Sequence, residues 1–202
     1  MVRLAISVEG LTEERLVKSV LNPHFQNLGI YANPILLGQN GGNVQLLRIK
    51  KDIQKLIHNF DHVTTFYDFY GFRDKALSDT KESLEHKILY TVEEKFHSKL
   101  TPYVQMYEFE GILFSDPLAI ASCLQNETYQ KWASDILIAH NNNPERINDS
   151  QITAPSKRLE SHTNYRKAVN GPDIAVKIGL SKLRSMCSGF DKWVNKIESL
   201  TS

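Results

Sequence analysis

Residues 2–17, VRLAISVEGLTEERLV, decide how the whole chain is read. Val2–Val8 is apolar and β-branched at Val2, Ile6 and Val8, the pattern of a short buried strand, and it stops at Glu9-Gly10. Thr12 stands where a following helix would be capped, with Glu13 and Glu14 in the first turn, where the helix dipole favours anions. Leu16, Val17, Val20, Leu21 and Phe25 then share one helical face. A strand, a tight turn and an amphipathic helix open an α/β unit. Gly10 already supplies the turn, so of the acids here Glu9 is the hardest to explain as structure.

Working outward, the alternation continues. Ile30–Leu37 is a second strand, with Pro34 suiting a sheet edge. Gly41-Gly42-Asn43 opens a helix carrying Val44, Leu47, Ile49, Ile53, Leu56 and Ile57. His62–Tyr67 is a third strand running into Asp68, a polar helix covers 80–99, and Tyr103–Tyr107 is a fourth strand ending at Glu108. Strand signals stop at Ser115; helices are expected over 116–140, 154–168 and 173–200, around a loop at 141–150. The pattern predicts an α/β fold with a mainly parallel sheet over 1–115 and a helical C-terminal portion over 116–202 packed on it as one compact unit.

Bulk composition narrows the class without naming a job. A chain of 202 residues, 41% hydrophobic and 23% charged, is that of an ordinary globular protein. No apolar stretch reaches the ~18 residues of a membrane span, and the start MVRLAISVEG is too short and too soon charged for a signal peptide. Cys123 and Cys187 lack metal-ligand spacing, which points to free thiols in a reducing cytoplasm. Residues 1–150 carry 15 Lys and Arg against 19 Asp and Glu, whereas residues 151–202 carry 9 against 4. Acids gathered in one part and bases in the other suit a metal site served by a phosphate-binding wall, although a dipolar surface without function gives the same tally.

The strand ends carry the chemistry. In a parallel sheet all C-terminal ends lie on one edge, where open α/β folds bind ligands, and Glu9, Asp68 and Glu108 each follow an expected strand. Glu13 can face back over that edge, and Glu110 and Asp116 in YEFEGILFSDP are further candidates. Two like charges ~4 Å apart repel by roughly 4 kcal/mol at an effective dielectric near 20, so a cluster needs protonation, neighbouring bases or a divalent cation. Oxygen donors without His or Cys favour Mg²⁺ or Mn²⁺. Each acid also has a plain reading: Glu13 and Glu14 as dipole acids, Asp68 as a cap for the turn DFYGF, Glu110 as a solvated residue or the partner of a lysine.

On the phosphate side, Gly41, Gly42 and Asn43 at a helix entry could offer backbone N–H groups to an anion, or could be a flexible loop. TAPSKRLES at 153–161 starts a helix at Pro155 and puts Lys157 and Arg158 in its first turn, where cations oppose the dipole unless an anion is near. Lys157 could stabilise charge on a scissile phosphate. No GxxxxGK[ST] pattern is present, so ATP-driven work would need another chain. Trp132, Trp193, Tyr165 and Phe190 read as core aromatics rather than base-stacking platforms.

VEGLTEE after a strand and FYDFYG at the end of a later one resemble the TOPRIM domain, the metal-binding module of topoisomerases, bacterial primases and OLD-family (overcoming lysogenization defect) nucleases. With VTTFYDFYGF, YEFEGILFSDP, INDSQITAPSKRL and IGLSKLRSMCSGFDKW, nearly the full length is similar to a family of small TOPRIM-like bacterial proteins. The resemblance implies a Rossmannoid core, Glu9 as the TOPRIM glutamate, Asp68 as the first aspartate of DxD, and Glu13 as the extra OLD-type acid. Tyr70 replaces the second aspartate, so Glu108 or Glu110 would substitute, or one ion would be held. It also implies a Mg²⁺- or Mn²⁺-dependent nuclease acting on DNA or RNA, paired with an ABC- or AAA-type ATPase in anti-phage defence, and leaves room for a homo-oligomer. A catalytically weak module that binds nucleic acid or the ATPase is the alternative that Tyr70 raises. A phospho-accepting receiver domain is a third reading, disfavoured by the glutamates at 9 and 13, where receivers use aspartates.

Overall fold

The computed structural model describes residues 1–38, 41, 43–148 and 150–201. They form two compact units: Met1–Gln105 with Asn195–Ser202, and Met106–Val194.

The first unit is α/β. Its elements are β1 (Val2–Val8), α1 (Leu11–Leu16), a π-type turn (Val17–Leu21), α2 (Asn22–Asn27), β2 (Ile30–Leu36), α3 (Leu46–Asn59), β3 (His62–Asp68), α4 (Lys81–Leu89), β4 (Leu100–Thr101) and β5 (Val104–Gln105). The sheet runs β2-β1-β3-β4, with β5 also on β3, and every pairing is parallel. This is a Rossmann-like core. β2 takes the edge, where Pro34 costs no ladder bond. From β1 the chain goes one way to β2 and then returns past β1 to β3. The strand order therefore reverses between β1 and β3, the position at which open α/β sheets bind ligands.

One face of the sheet packs Ala5, Val63 and Tyr67 against Ile49, Ile53 and Ile57 of α3 and Leu84 and Ile88 of α4. Tyr67 is wholly buried and its hydroxyl donates to Ser7 Oγ at 2.6 Å; burial holds the phenol well above its ordinary pKa.

Three local expectations change. The helix start falls at Leu11 with Gly10 as N-cap, and Thr12 is buried inside it. The helix expected over 80–99 ends at Leu89, although Thr80 opens it with a capping box to Ser83 as its type suggests. The fourth strand is not Tyr103–Tyr107 but two short pieces separated by Pro102, which has no N–H to give. Thr65 mends the gap: its Oγ1 donates to Tyr103 O at 2.8 Å and accepts from Tyr103 N at 2.9 Å. Thr64 Oγ1 likewise donates to Thr101 O. Tyr107, at φ +59°, cannot continue a strand.

The second unit is helical: α5 (Glu110–Leu113), α6 (Pro117–Cys123), α7 (Thr128–Ala139), α8 (Pro155–His162), α9 (Lys167–Ile178), α10 (Leu180–Met186) and α11 (Ser188–Glu198), whose residues from Asn195 on belong to the first unit. The helix expected over 116–140 is two helices, broken where Gln125 adopts φ +56°. Asp116 serves structure, accepting from Leu118 N at 3.1 Å to cap α6. Glu145 does the same for α11, accepting from Gly189 N at 2.8 Å and Phe190 N at 3.0 Å. Phe190, Trp193 and Tyr165 are buried, as core aromatics should be; Trp132 is only half-buried and stacks on His162 at 4.6 Å.

Candidate functional site

Glu9 follows β1 directly and Asp68 is the last residue of β3, so both acids stand at the C-terminal ends of the two strands that flank the switch point. The register confirms the neighbourhood, since Val8 pairs with Phe66, two residues before Asp68. Asp68 is 3% exposed. It is the N-cap residue of the turn Phe69–Gly71, yet its side chain makes no capping hydrogen bond there. The structural reading of Asp68 as a turn cap is thereby removed.

Two glycines shape the space around Glu9. A Cβ at Gly71 would lie 2.2 Å from Glu9 Oε2 and 3.0 Å from Oε1, so the turn after β3 closes on the carboxylate only because residue 71 has no side chain. A Cβ at Gly41 would lie 2.6 Å from the Glu9 carbonyl oxygen, and Gly41 holds φ +72°. The loops after β2 and β3 are joined above this edge by a bridge between Val44 and Phe72 and by Arg73 N donating to Val44 O at 2.9 Å. Glu9 Oε2 is buried and accepts no hydrogen bond, while the residue is engaged through other contacts.

Glu13 is 2% exposed and folds back so that its Oε2 would lie 3.3 Å from a Cβ at Gly10, over the end of β1. Glu14 behaves as a surface acid, taking Lys18 at 2.5 Å. Of the expected anion cradle, Gly42 lies outside the described residues, and Gly41 and Asn43 do not open a helix, because α3 begins at Leu46 with Gln45 as its N-cap. Tyr70, in the position of the second DxD aspartate, sits in the turn with Lys75 Nζ 5.7 Å from its ring.

The remaining expected residues are in the second unit. Glu108 is not at a strand end, since β5 stops at Gln105; its Oε2 accepts from Ser156 N at 2.9 Å. That places a carboxylate on the first turn of α8, the anion that cations at Lys157 and Arg158 called for. Lys157 is exposed and pairs with Glu160 at 2.9 Å; that hydrogen bond first, then the charges of Glu160, Glu108 and Glu110, raise its pKa. Arg158 Nε donates to Thr153 O at 2.7 Å.

Glu110 is fully buried, accepting from Tyr165 Oη at 3.1 Å and from Lys167 Nζ at 3.2 Å. Burial raises its pKa, Lys167 opposes the shift, and Glu108 adds to it. Sequence reasoning left a lysine partner open for Glu110 but identified neither Lys167 nor Tyr165, both far along the chain.

Among the described residues no group of three or more His, Cys, Asp or Glu side chains is drawn together so as to hold an ion. What the structure offers is one carboxylate at the end of each of two neighbouring strands, Glu9 and Asp68, with Glu13 folded over the end of β1. Carboxylate oxygens are the donor type that Mg²⁺ takes, one or two at a time, with water and substrate phosphate completing its shell. Among the described residues no helix is long and apolar enough to cross a membrane.

Comparison with solved structures finds the C-terminal region of the Xanthomonas campestris pv. campestris OLD protein, at 16% identity over 98% of both chains with a TM-score of 0.40, a likeness that carries no argument at that level. No curated protein matches the chain. A family model does match, from residue 8 to residue 198, and the chain belongs to that family, described as domain of unknown function DUF4276.

Proposed function

We propose that the protein is a Mg²⁺- or Mn²⁺-dependent nuclease that hydrolyses phosphodiester bonds. The observation that supports this reading most is the position of Glu9 and Asp68 at the ends of the two strands flanking the switch point, with the turn after β3 lying close on Glu9 because Gly71 has no side chain. Glu9 and Asp68 would hold the cation, with Glu13, folded over the end of β1, as a further donor. A bound Mg²⁺ or Mn²⁺ supplies a water of lowered pKa and neutralises charge developing on the phosphate. The strand ends that carry these acids are anchored by buried residues on both faces of the sheet, Val8 and Phe66 on one and Tyr67 on the other. In the second unit Lys157 and Arg158 are proposed as contacts for substrate phosphates, while Glu108 and Glu110 are already engaged by Ser156 N and by Tyr165 and Lys167. An ATPase partner and a place in anti-phage defence belong to the same proposal, and the TOPRIM-like motifs are what support them.

The test is titration calorimetry with Mn²⁺ and Mg²⁺ on the wild type, Glu9→Gln and Asp68→Asn, followed by cleavage assays on single- and double-stranded DNA and RNA. Binding lost in both variants with an unchanged circular dichroism spectrum is the expected result. A fully active Glu9→Gln protein would sink the reading. Tyr70 favours one alternative, a binding module without cleavage; metal-independent nucleic-acid binding that survives Asp68→Asn would establish it.

A further inference from the structure

A carboxylate as buried as Asp68 needs donors that keep its charge and its orientation. In the parallel register Asp68 is the Cα partner of Gln105, one strand spacing of about 5 Å away, so both side chains leave the same face of the sheet. Gln105 is 0% exposed. Its Oε1 accepts from the buried Tyr103 hydroxyl at 2.7 Å. Tyr103 is itself fixed: its backbone is tied to Thr65, its ring packs on Phe66 at 5.4 Å, and Lys81 Nζ lies 3.9 Å above the ring centroid.

With the oxygen committed to Tyr103, the amide presents only its Nε2 donors on the remaining side. The opposite flip would aim an oxygen at a carboxylate and leave the phenol facing an NH₂, so the hydrogen-bond network selects this orientation.

The geometry points to Gln105 as a positioning residue for Asp68: its Nε2–H donates to the Asp68 carboxylate and, through Tyr103, sets the direction in which that carboxylate meets a divalent cation. The inference rests on reading this edge as a metal site, and it assigns no contact of Gln105 with the ion. Outer partners of ligating groups typically control ~10–100-fold in metal affinity.

Two readouts on the intact chain test it. In metal-free ¹⁵N-labelled protein the Gln105 side-chain amide is expected to resonate away from solvent-exposed amides and to shift in Asp68→Ala. In Mn²⁺ titration calorimetry, Gln105→Met, of similar shape but without donors, is expected to bind about tenfold more weakly. Tyr103→Phe should lose less, and the double variant should be no weaker than Gln105→Met alone, the sign of one coupled network. An amide signal indifferent to Asp68→Ala, unchanged affinity in Gln105→Met, or simply additive losses would overturn the inference. If the wild type binds no Mn²⁺, the nuclease reading fails and the amide signal alone decides this one. If Gln105→Met does not fold, Tyr103→Phe, which keeps its ring, carries the test by the same two readouts.

Discussion

Gly71→Ala separates the site from the fold. A Cβ there would lie 2.2 Å from Glu9 Oε2 and 2.9 Å from Cδ, whereas ordinary contact begins near 3.4 Å, so the carboxylate must retreat by about 1 Å. The atom struck is the far end of a flexible side chain, which can yield by leaving its rotamer at a cost of about 0.5–1.5 kcal/mol. Replacing glycine by alanine recovers about 0.4–1 kcal/mol through the unfolded chain. The two nearly cancel, and a net change within about 1 kcal/mol moves Tm by no more than about 4 °C in a chain of this size. Function has less tolerance. A catalytic group must be held within about 0.5 Å, and a misplacement of about 1 Å costs on the order of 100-fold in rate. The assay pairs a thermal melt with Mn²⁺ titration calorimetry and, once a substrate is known, initial rates. Near-native Tm with at least tenfold weaker Mn²⁺ binding is the expected outcome. Gly41→Ala supplies the contrast: its φ of +72° and the 2.6 Å approach to a backbone oxygen leave no flexible atom to yield, so stability itself falls. Wild-type Mn²⁺ affinity in Gly71→Ala would refute the argument that the Glu9 carboxylate is a ligand in the position seen here.

Glu145→Ala removes the acceptor for two N–H groups at the start of α11 and should cost about 0.5–2 kcal/mol, lowering Tm by a few degrees in a melt. Asp61, hydrogen-bonded to Arg3, has its carboxyl lowered to about 2; a depressed acid stabilises above its unfolded pKa near 4, and that contribution is lost as pH falls from there toward 2. Both partners are exposed, so the effect is small, and acid titrations of wild type and Asp61→Asn should differ above about pH 4 and converge as pH falls toward 2. Burial pushes the Cys187 thiol up to about 12, so a thiol reagent at neutral pH should label Cys123 first and reach Cys187 only on unfolding.

The strands flanking the switch point were legible because buried β-branched runs ending in an acid and a glycine are local signals, and so Glu9 and Asp68 could be picked out by position. What was illegible depends on partners far along the chain. Nothing around Pro102 announces that threonine hydroxyls on β3 replace the missing ladder bonds, which is why the sequence pattern places the fourth strand too late and Glu108 on a strand end it does not occupy. Gly71 is one letter of the turn DFYGF in the sequence, and the carboxylate that requires a glycine there is brought to it only in three dimensions. Glu110 shows the same limit, since its lysine lies 57 residues on.

The π-type turn at Val17–Leu21 has a consequence for how this edge can change. At ~100° per residue, an uninterrupted α-helix would set Phe25 about 120° around the axis from Glu13. One residue absorbed in a wider turn brings the difference to about 20°, so a buried acid and a buried aromatic share one stripe. The turn works like an expansion joint: it isolates the phase of the first turn, which faces the strand ends, from the phase of the last, which fills the core. Deleting a single residue within it would force a choice between keeping Glu13 inside and keeping Phe25 inside, and the length of this helix is therefore fixed more tightly than its composition.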